Sequence, residues 1–80
     1  MKKVTIYSTP SCKYCKLAED YFVANNISYT KHNVAADIER RNEMIEKSGQ
    51  MGVPVIIIGD NELVVGFNKP VIAEILGLKT

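Results

Sequence analysis

The sequence predicts one α/β domain over residues 1–80, with a four-stranded mixed sheet flanked by helices in the order β-α-β-α-β-β-α. Three observations predict it. Runs of β-branched and aromatic residues alternate with stretches of helical apolar spacing. Two β-rich runs then follow one another across a short turn, which indicates a hairpin. Eighty residues with 46% apolar composition suffice for one small core and leave no room for a second domain.

The first third of the chain is predicted to be strand, helix, strand. Residues 3–8, KVTIYS, favour a strand that ends at Thr9-Pro10, and residues 27–34, ISYTKHNV, favour a second one. Between them apolar residues recur at helical spacing until Asn25-Asn26; these are Tyr14, Leu17, Ala18, Tyr21 and Phe22. Since a helix connects the two strands, they are expected to be parallel.

A second helix is predicted after Asp37, which is a good N-cap, and it ends at Gly49. Its apolar stripe is thin and consists of Ile38, Met44 and Ile45 among charged residues.

The last third is predicted to be a hairpin and a short helix. The hairpin occupies residues 53–67 and turns at Gly59-Asp60-Asn61. Its first strand, residues 55–58, is apolar without alternation, as expected of a strand covered on both faces. Asn68 is the predicted cap of the final helix, with Pro70 in the first turn and Gly77 near the end. The residues expected to point inward are Val71, Ile72, Ile75 and Leu76.

The charge balance excludes several classes of partner. Ten basic and nine acidic residues give a formal charge of +1 at pH 7, so nothing favours nucleic acid or a charged membrane surface. The N-terminus lacks the apolar core of a signal peptide, and no later segment has transmembrane length. We therefore expect a cytoplasmic monomer without nucleic-acid or membrane partners.

The two cysteines of the chain, Cys12 and Cys15, fall within four residues. A structural disulfide is disfavoured because cytosolic thiols are kept reduced and because such a short loop gains little entropic stabilisation. A zinc site needs four ligands, and the other soft candidate is His32 on the second strand, so no metal site is predicted. His32 is expected to be an ordinary strand residue. The remaining hypothesis is a pair of redox-active thiols.

The position of the pair at the start of a helix suits thiol chemistry. Unpaired N–H groups and the helix dipole at this end favour a thiolate, so Cys12 is the predicted nucleophile. Lys13 and Lys16 add modestly to this effect. Cys15 shares the helix face of Cys12 and can resolve a mixed disulfide formed there, leaving an intramolecular disulfide.

In addition, the chain resembles the glutaredoxin branch of the thioredoxin fold over nearly its full length. The matching segments are VTIYS, CKYC at the start of the first helix, GVPV before the third strand, a hairpin, and GFNK before the last helix. The resemblance implies a thiol–disulfide oxidoreductase with a thioredoxin-like fold. It also implies that the Val53–Pro54 bond is cis, that Pro54 faces the cysteines, and that the Val53 backbone pairs with an extended substrate.

The predicted substrate-binding rim consists of Lys13, Tyr14, Val53, Pro54, Gly66 and Phe67. Tyr14 and Phe67 could equally be partial core residues. Glutathione-using glutaredoxins commonly carry Gly-Gly and acidic residues where this chain has Gly66-Phe67-Asn68-Lys69, so glutathione is expected to bind poorly.

The resemblance leaves the electron source open. VVGFNKPVIAEIL is similar to NrdH-redoxins, which draw electrons from thioredoxin reductase and serve ribonucleotide reductase, whereas CKYC and SGQMGVPVI are closer to small glutaredoxin-like proteins. The expected partners are disulfide-containing proteins, among them ribonucleotide reductase, and either thioredoxin reductase or glutathione as reductant. No tightly bound cofactor is expected.

Two other functions stay open from the sequence. In the first, two chains each supply Cys12 to an iron–sulfur centre together with two glutathione molecules. In the second, the chain is a non-enzymatic binding module that uses the backbone edge at Val53.

Overall fold

The computed structural model describes residues 3–59 and 62–78. Within them the elements follow the predicted order: β1 Val4–Ser8, α1 Lys13–Ala24, β2 Thr30–Asn33, α2 Ile38–Ser48, β3 Val55–Ile58, β4 Glu62–Val65 and α3 Lys69–Leu76. Asp60 and Asn61 of the predicted turn lie outside the described residues.

The four strands form one mixed sheet in the order β2-β1-β3-β4. β1 is parallel to β2, as predicted, and β3 is antiparallel to both β1 and β4. The carboxyl ends of β1, β2 and β4 and the amino end of β3 therefore meet at one edge of the sheet. We call this edge, to which the cysteine loop is attached, the cysteine edge.

Helices cover both faces of the sheet. On one face, Ala18 and Phe22 of α1 and Ile72 of α3 pack in one buried cluster with strand residues such as Ile6 and Ile56. On the other face, Met44 of α2 packs with Tyr7, Val34 and Val55. The run Val55–Ile58 is buried on both faces apart from partial exposure of Ile57.

Polar and glycine residues begin and end the helices as the sequence predicts. The Asp37 side chain accepts the Arg40 N–H at 3.2 Å at the start of α2. The Asn68 side chain accepts the Val71 N–H at 3.5 Å at the start of α3. Gly49 and Gly77 end the two helices with left-handed φ angles of 73° and 71°.

Three residues predicted to point inward are instead exposed: Leu17, Ile38 and Val71. In α1 the inward positions belong to Cys15, Ala18 and Phe22, which recur at i, i+3 and i+7. The apolar stripe predicted from the sequence omits Cys15 and therefore lies too far around the helix. In α2, Ile38 and Met44 are about 120° apart around the helix axis and cannot share one narrow face.

The second strand is shorter than predicted, because residues 27–29 form part of the loop between α1 and β2. The Ile27 N–H donates to the Phe22 carbonyl at 2.8 Å, and Asn26 has a left-handed φ of 57°. Ile27 is nevertheless buried in the core. In the part of the chain that the structure describes, no helix is long and apolar enough to cross a membrane.

Candidate active site

The loop from β1 to α1 presents Cys12 at the start of the helix. The Cys12 N–H donates to the Thr9 carbonyl at 3.2 Å, which closes a turn. Cys12 is itself the N-cap of α1, and its sulfur accepts the Cys15 N–H at 3.1 Å. The Cys12 sulfur therefore occupies the position where unpaired helix N–H groups and the helix dipole favour a negative charge.

The two cysteines form a disulfide, with their Cα atoms 5.2 Å apart. Their exposure is unequal. Cys15 is 1% exposed in the α1 face that packs on the sheet, whereas Cys12 is half-buried and lines shallow surface depressions beside α1. Cys12 is thus accessible from the surface, whereas Cys15 is shielded from solvent.

The residues next to the pair are exposed. Tyr14 is 62% exposed, so its ring is a surface group and not partial core. Lys13 and Lys16 are also exposed, which places their charges in solvent near the start of α1. Tyr14 and Lys13 are therefore accessible for contact with a bound substrate.

Val53, Pro54 and Gly66 lie together at the cysteine edge. The Val53–Pro54 peptide bond is cis, as the resemblance implied. Pro54 is buried one residue beyond the Tyr7–Val55 pair, which brings it opposite Ser8 across the two antiparallel strands. The Gly66 N–H donates to the Pro54 carbonyl at 2.8 Å. The fold thus joins these three predicted rim residues to the end of the strand that carries the cysteine loop.

Phe67 packs back towards α1. It is half-buried against the main core cluster, with its ring centroid 5.9 Å from that of Tyr21. The Lys69 ammonium lies 5.4 Å from the centroid of the same Tyr21 ring, at cation–π distance. Phe67 is therefore both partial core and partly accessible surface, and Lys69 is positioned by an aromatic ring.

A polar network flanks Cys12 on the side of β2. The Tyr29 hydroxyl donates to Glu19 at 3.2 Å, and the Lys31 ammonium lies 3.4 Å from the same Glu19 oxygen. Burial and then the hydrogen bond to Glu19 raise the pKa of Tyr29 above its ordinary value. A tyrosine hydroxyl is protonated at neutral pH even without this shift, so it can donate to Glu19 there. This network fixes the wall of the depression that Cys12 lines.

His32 lies apart from the cysteines. It is opposite Tyr7 on the neighbouring strand, and the two ring centroids are 5.4 Å apart. Tyr7 belongs to the face covered by α2, whereas Cys15 is on the face covered by α1. Across residues 3–59 and 62–78, no three His, Cys, Asp or Glu side chains cluster as a metal site would require.

Sequence reasoning missed one buried polar residue at the site. Ser8 is the last residue of β1, is 0% exposed, and its hydroxyl makes no hydrogen bond with any residue that the structure describes. The sequence of the first strand could have indicated this burial, because Val4, Ile6 and Ser8 share one face of the strand and the first two are apolar.

The fold and the cysteine pair define a thiol–disulfide oxidoreductase with a thioredoxin-like architecture. The family model described as Glutaredoxin matches residues 4–64. A glutaredoxin-like 8.6 kDa protein in the rubredoxin operon of Clostridium pasteurianum is 45% identical over 73 residues, which cover 91% of this chain and 96% of that protein. Glutaredoxin 3 of Escherichia coli is 33% identical over 58 residues, covering 72% of this chain and 70% of that protein. The chain belongs to the glutaredoxin family.

Solved structures agree with the fold. A mutant of the thioredoxin-like protein BC3987 superposes with a TM-score of 0.89 at 26% identity, covering 99% of this chain and 100% of that one. NrdH-redoxin from Escherichia coli superposes with a TM-score of 0.78 at 22% identity, covering 90% of this chain and 92% of that one.

Proposed function

We propose that this protein reduces substrate disulfides by a two-step exchange in which Cys12 attacks and Cys15 resolves. The observation that carries the assignment is that the partly exposed Cys12 caps α1 through its sulfur, while Cys15 is buried and joined to it by a disulfide. In the first step the Cys12 thiolate forms a mixed disulfide and releases one substrate thiolate. In the second step the Cys15 thiolate attacks the Cys12 sulfur, and the second substrate thiolate leaves.

The substrate is an exposed disulfide in an extended segment of another protein. Val53 and Pro54 lie just before β3 and Gly66 and Phe67 lie just after β4, at the cysteine edge, where the Val53 backbone can pair with such a segment. The exposed Lys13 and Tyr14 complete the rim.

Single-cysteine variants test the two roles. Cys15→Ser is expected to trap a mixed disulfide at Cys12 when the reduced protein meets an aryl or protein disulfide. Cys12→Ser is the matched control and is expected to trap none on the timescale of the parent reaction. Intact-mass spectrometry measures both. Equal trapping by the two variants would show that the assignment of nucleophile and resolving thiol is wrong.

We further propose that electrons come from a thioredoxin reductase in preference to glutathione. The turn at Gly66-Phe67-Asn68-Lys69 carries an ammonium where a carboxylate would be needed to bind the amino group of glutathione, and Tyr21 holds this ammonium at 5.4 Å from its ring centroid. The NrdH-redoxin that shares this fold is described as having a thioredoxin-like activity profile.

The reductant is tested with two coupled NADPH assays on the same disulfide substrate. One contains glutathione and glutathione reductase, and the other contains thioredoxin reductase. Faster NADPH consumption with thioredoxin reductase is the expected result. Lys69→Glu should raise turnover with glutathione relative to the parent, and Lys69→Gln is the control that removes the charge without reversing it. Turnover of the parent with glutathione alone would refute the reductant proposal and leave the dithiol mechanism intact.

A further inference from the structure

Ser8 is an unexplained polar group next to the candidate active site. Its hydroxyl is fully buried and has no hydrogen-bond partner among the described residues. Leaving a buried hydroxyl unpaired costs about 1–3 kcal/mol, so an unpaired hydroxyl in a native protein calls for a reason. The structure is that of the oxidised, disulfide-bonded protein, in which both cysteine sulfurs are neutral.

The direction of the Ser8 side chain follows from the strand. Val4 and Ile6 pack in the cluster that α1 and α3 cover, whereas Tyr7 packs in the cluster under α2. Since successive side chains of a strand alternate between the two faces, Ser8 lies on the α1 face with Val4 and Ile6.

The level of Ser8 along the sheet follows from the reversal of the chain between β1 and α1. The inward residues of the strand are, in order, Val4, Ile6 and Ser8, and those of the helix are Cys15, Ala18 and Phe22. Because the helix returns along the strand, its first inward residue lies at the level of the last inward residue of the strand. Cys15 and Ser8 thus form one layer at the cysteine edge, closed by Pro54, and all three are less than 2% exposed.

Cys15 is the group in this layer that changes its hydrogen-bonding capacity during the reaction. The Pro54 carbonyl already accepts the Gly66 N–H, and the Ser8 carbonyl accepts the Val34 N–H. A disulfide sulfur is a weak acceptor, whereas a thiolate is a strong one and forms charge-assisted hydrogen bonds. Burial opposes ionisation of a thiol, so a nearby donor has most effect at a buried cysteine.

We propose that Ser8 is a positioning residue for the resolving thiol: its hydroxyl donates a hydrogen bond to the Cys15 sulfur once the pair is reduced, and it stabilises the thiolate that attacks the mixed disulfide at Cys12. The Cys15 proton goes to solvent, a Cys12–Cys15 bond forms, the bond from Cys12 to the substrate sulfur breaks, and the substrate thiolate leaves with the electron pair. This inference rests on the two-step exchange proposed above.

The test separates the two steps with a chromogenic aryl disulfide, 5,5′-dithiobis(2-nitrobenzoate), added to the reduced protein. Attack by Cys12 releases the first thionitrobenzoate, and resolution by Cys15 releases the second. Ser8→Ala is expected to leave the first phase unchanged and to slow the second about tenfold at neutral pH, the effect of one hydrogen bond to a charged group. The midpoint of the pH profile of the second phase should rise by about one unit. Ser8→Thr, which keeps the hydroxyl, should restore both.

Each outcome decides between the two proposals. A parent protein that releases no second thionitrobenzoate would contradict the two-step exchange itself. A parent that resolves normally, with Ser8→Ala equally fast or with both phases slowed alike, would overturn the role of Ser8 and leave the exchange intact. Thermal unfolding of the oxidised protein supplies a further readout, because in this state Ser8→Ala removes an unpaired hydroxyl and should not lower the melting temperature. A lower melting temperature together with an unchanged second phase would assign Ser8 to stability alone.

Discussion

Substitution of Met44 by alanine tests how α2 is held on the sheet. Met44 is the one residue of α2 that is fully buried, at 1% exposure, and it packs with Tyr7, Val34 and Val55. Truncation of a buried methionine costs about 2–5 kcal/mol, through lost apolar burial and the cavity that remains. A domain of 80 residues has a total stability of only about 4–12 kcal/mol. Met44→Ala should therefore remove a large part of the free energy of unfolding.

Ile38→Ala is the matched control in the same helix. Ile38 is 68% exposed, so its truncation removes little buried surface and is expected to change the free energy of unfolding by less than about 0.5 kcal/mol. Both residues were predicted from the sequence to point inward. A comparison of the two variants therefore measures which of them actually anchors α2.

Urea unfolding, followed by circular dichroism on the oxidised protein, measures both variants. Met44→Ala should lower the midpoint with little change in slope, and Ile38→Ala should leave both unchanged. The folded Met44→Ala protein should still reduce disulfides at the parental rate, because Cys15 and its layer lie on the opposite face of the sheet. Equal midpoints for the two variants, or a loss of activity in conditions where Met44→Ala is fully folded, would refute this account.

Three further predictions follow from local contacts. The Arg40 hydrogen bond is the main reason that the pKa of Glu43 falls from 4.5 to about 2. Because the folded-state pKa is the lower one, this stabilisation is present above about pH 4.5 and is lost as the pH falls through about 2. The cationic partners of Glu43, Arg40 and Lys47, are 45% and 50% exposed, so Glu43→Gln should lower the free energy of unfolding by only about 0.5–1 kcal/mol at pH 7. The difference in stability between the variant and the parent should disappear in acid and in high salt. A difference that persists at pH 2 would contradict this account. Gly66 has a φ of 83° with open space around its missing Cβ, so Gly66→Ala should lower the free energy of unfolding by about 1–2 kcal/mol through backbone conformation. Gly66→Asn should lower it by less, as measured by urea unfolding. Asp37→Ala should cost about 1 kcal/mol, and more than Asn68→Ala, because its capping hydrogen bond is 3.2 Å rather than 3.5 Å; the reverse order in urea unfolding would show that cap geometry does not set the cost.

The order of the elements could be predicted because the chain marks its boundaries with residues of distinct local chemistry. Asp37 and Asn68 begin helices, and Gly49 and Gly77 end them, through hydrogen bonds and φ angles that depend on near neighbours alone. Such local features can be predicted from a single sequence. The cysteine pair could be predicted for the same reason, since its spacing and its place at the start of a helix are both local features of the sequence.

Which side chains point inward was harder to predict, because it depends on the rotation of each helix against the sheet. Tyr14 and Leu17 fit a helical period, yet the face that packs contains Cys15. The importance of Ser8 was not visible either, because a serine at a strand end is ordinary until the strand is paired on both sides and covered by α1. Long-range burial, and not local pattern, made it unusual.

The hydrogen bond from the Cys15 N–H to the Cys12 sulfur couples the integrity of α1 to the redox cycle. In the proposed exchange, the Cys12 sulfur that caps the helix also changes charge, from thiolate to neutral sulfur and back. By thermodynamic reciprocity, a hydrogen bond that favours the thiolate form of Cys12 in the folded, reduced protein also stabilises that protein against unfolding at this end of α1. Fraying of the first turn would weaken cap and nucleophile together, so reactivity and local order at this end of α1 cannot be altered independently.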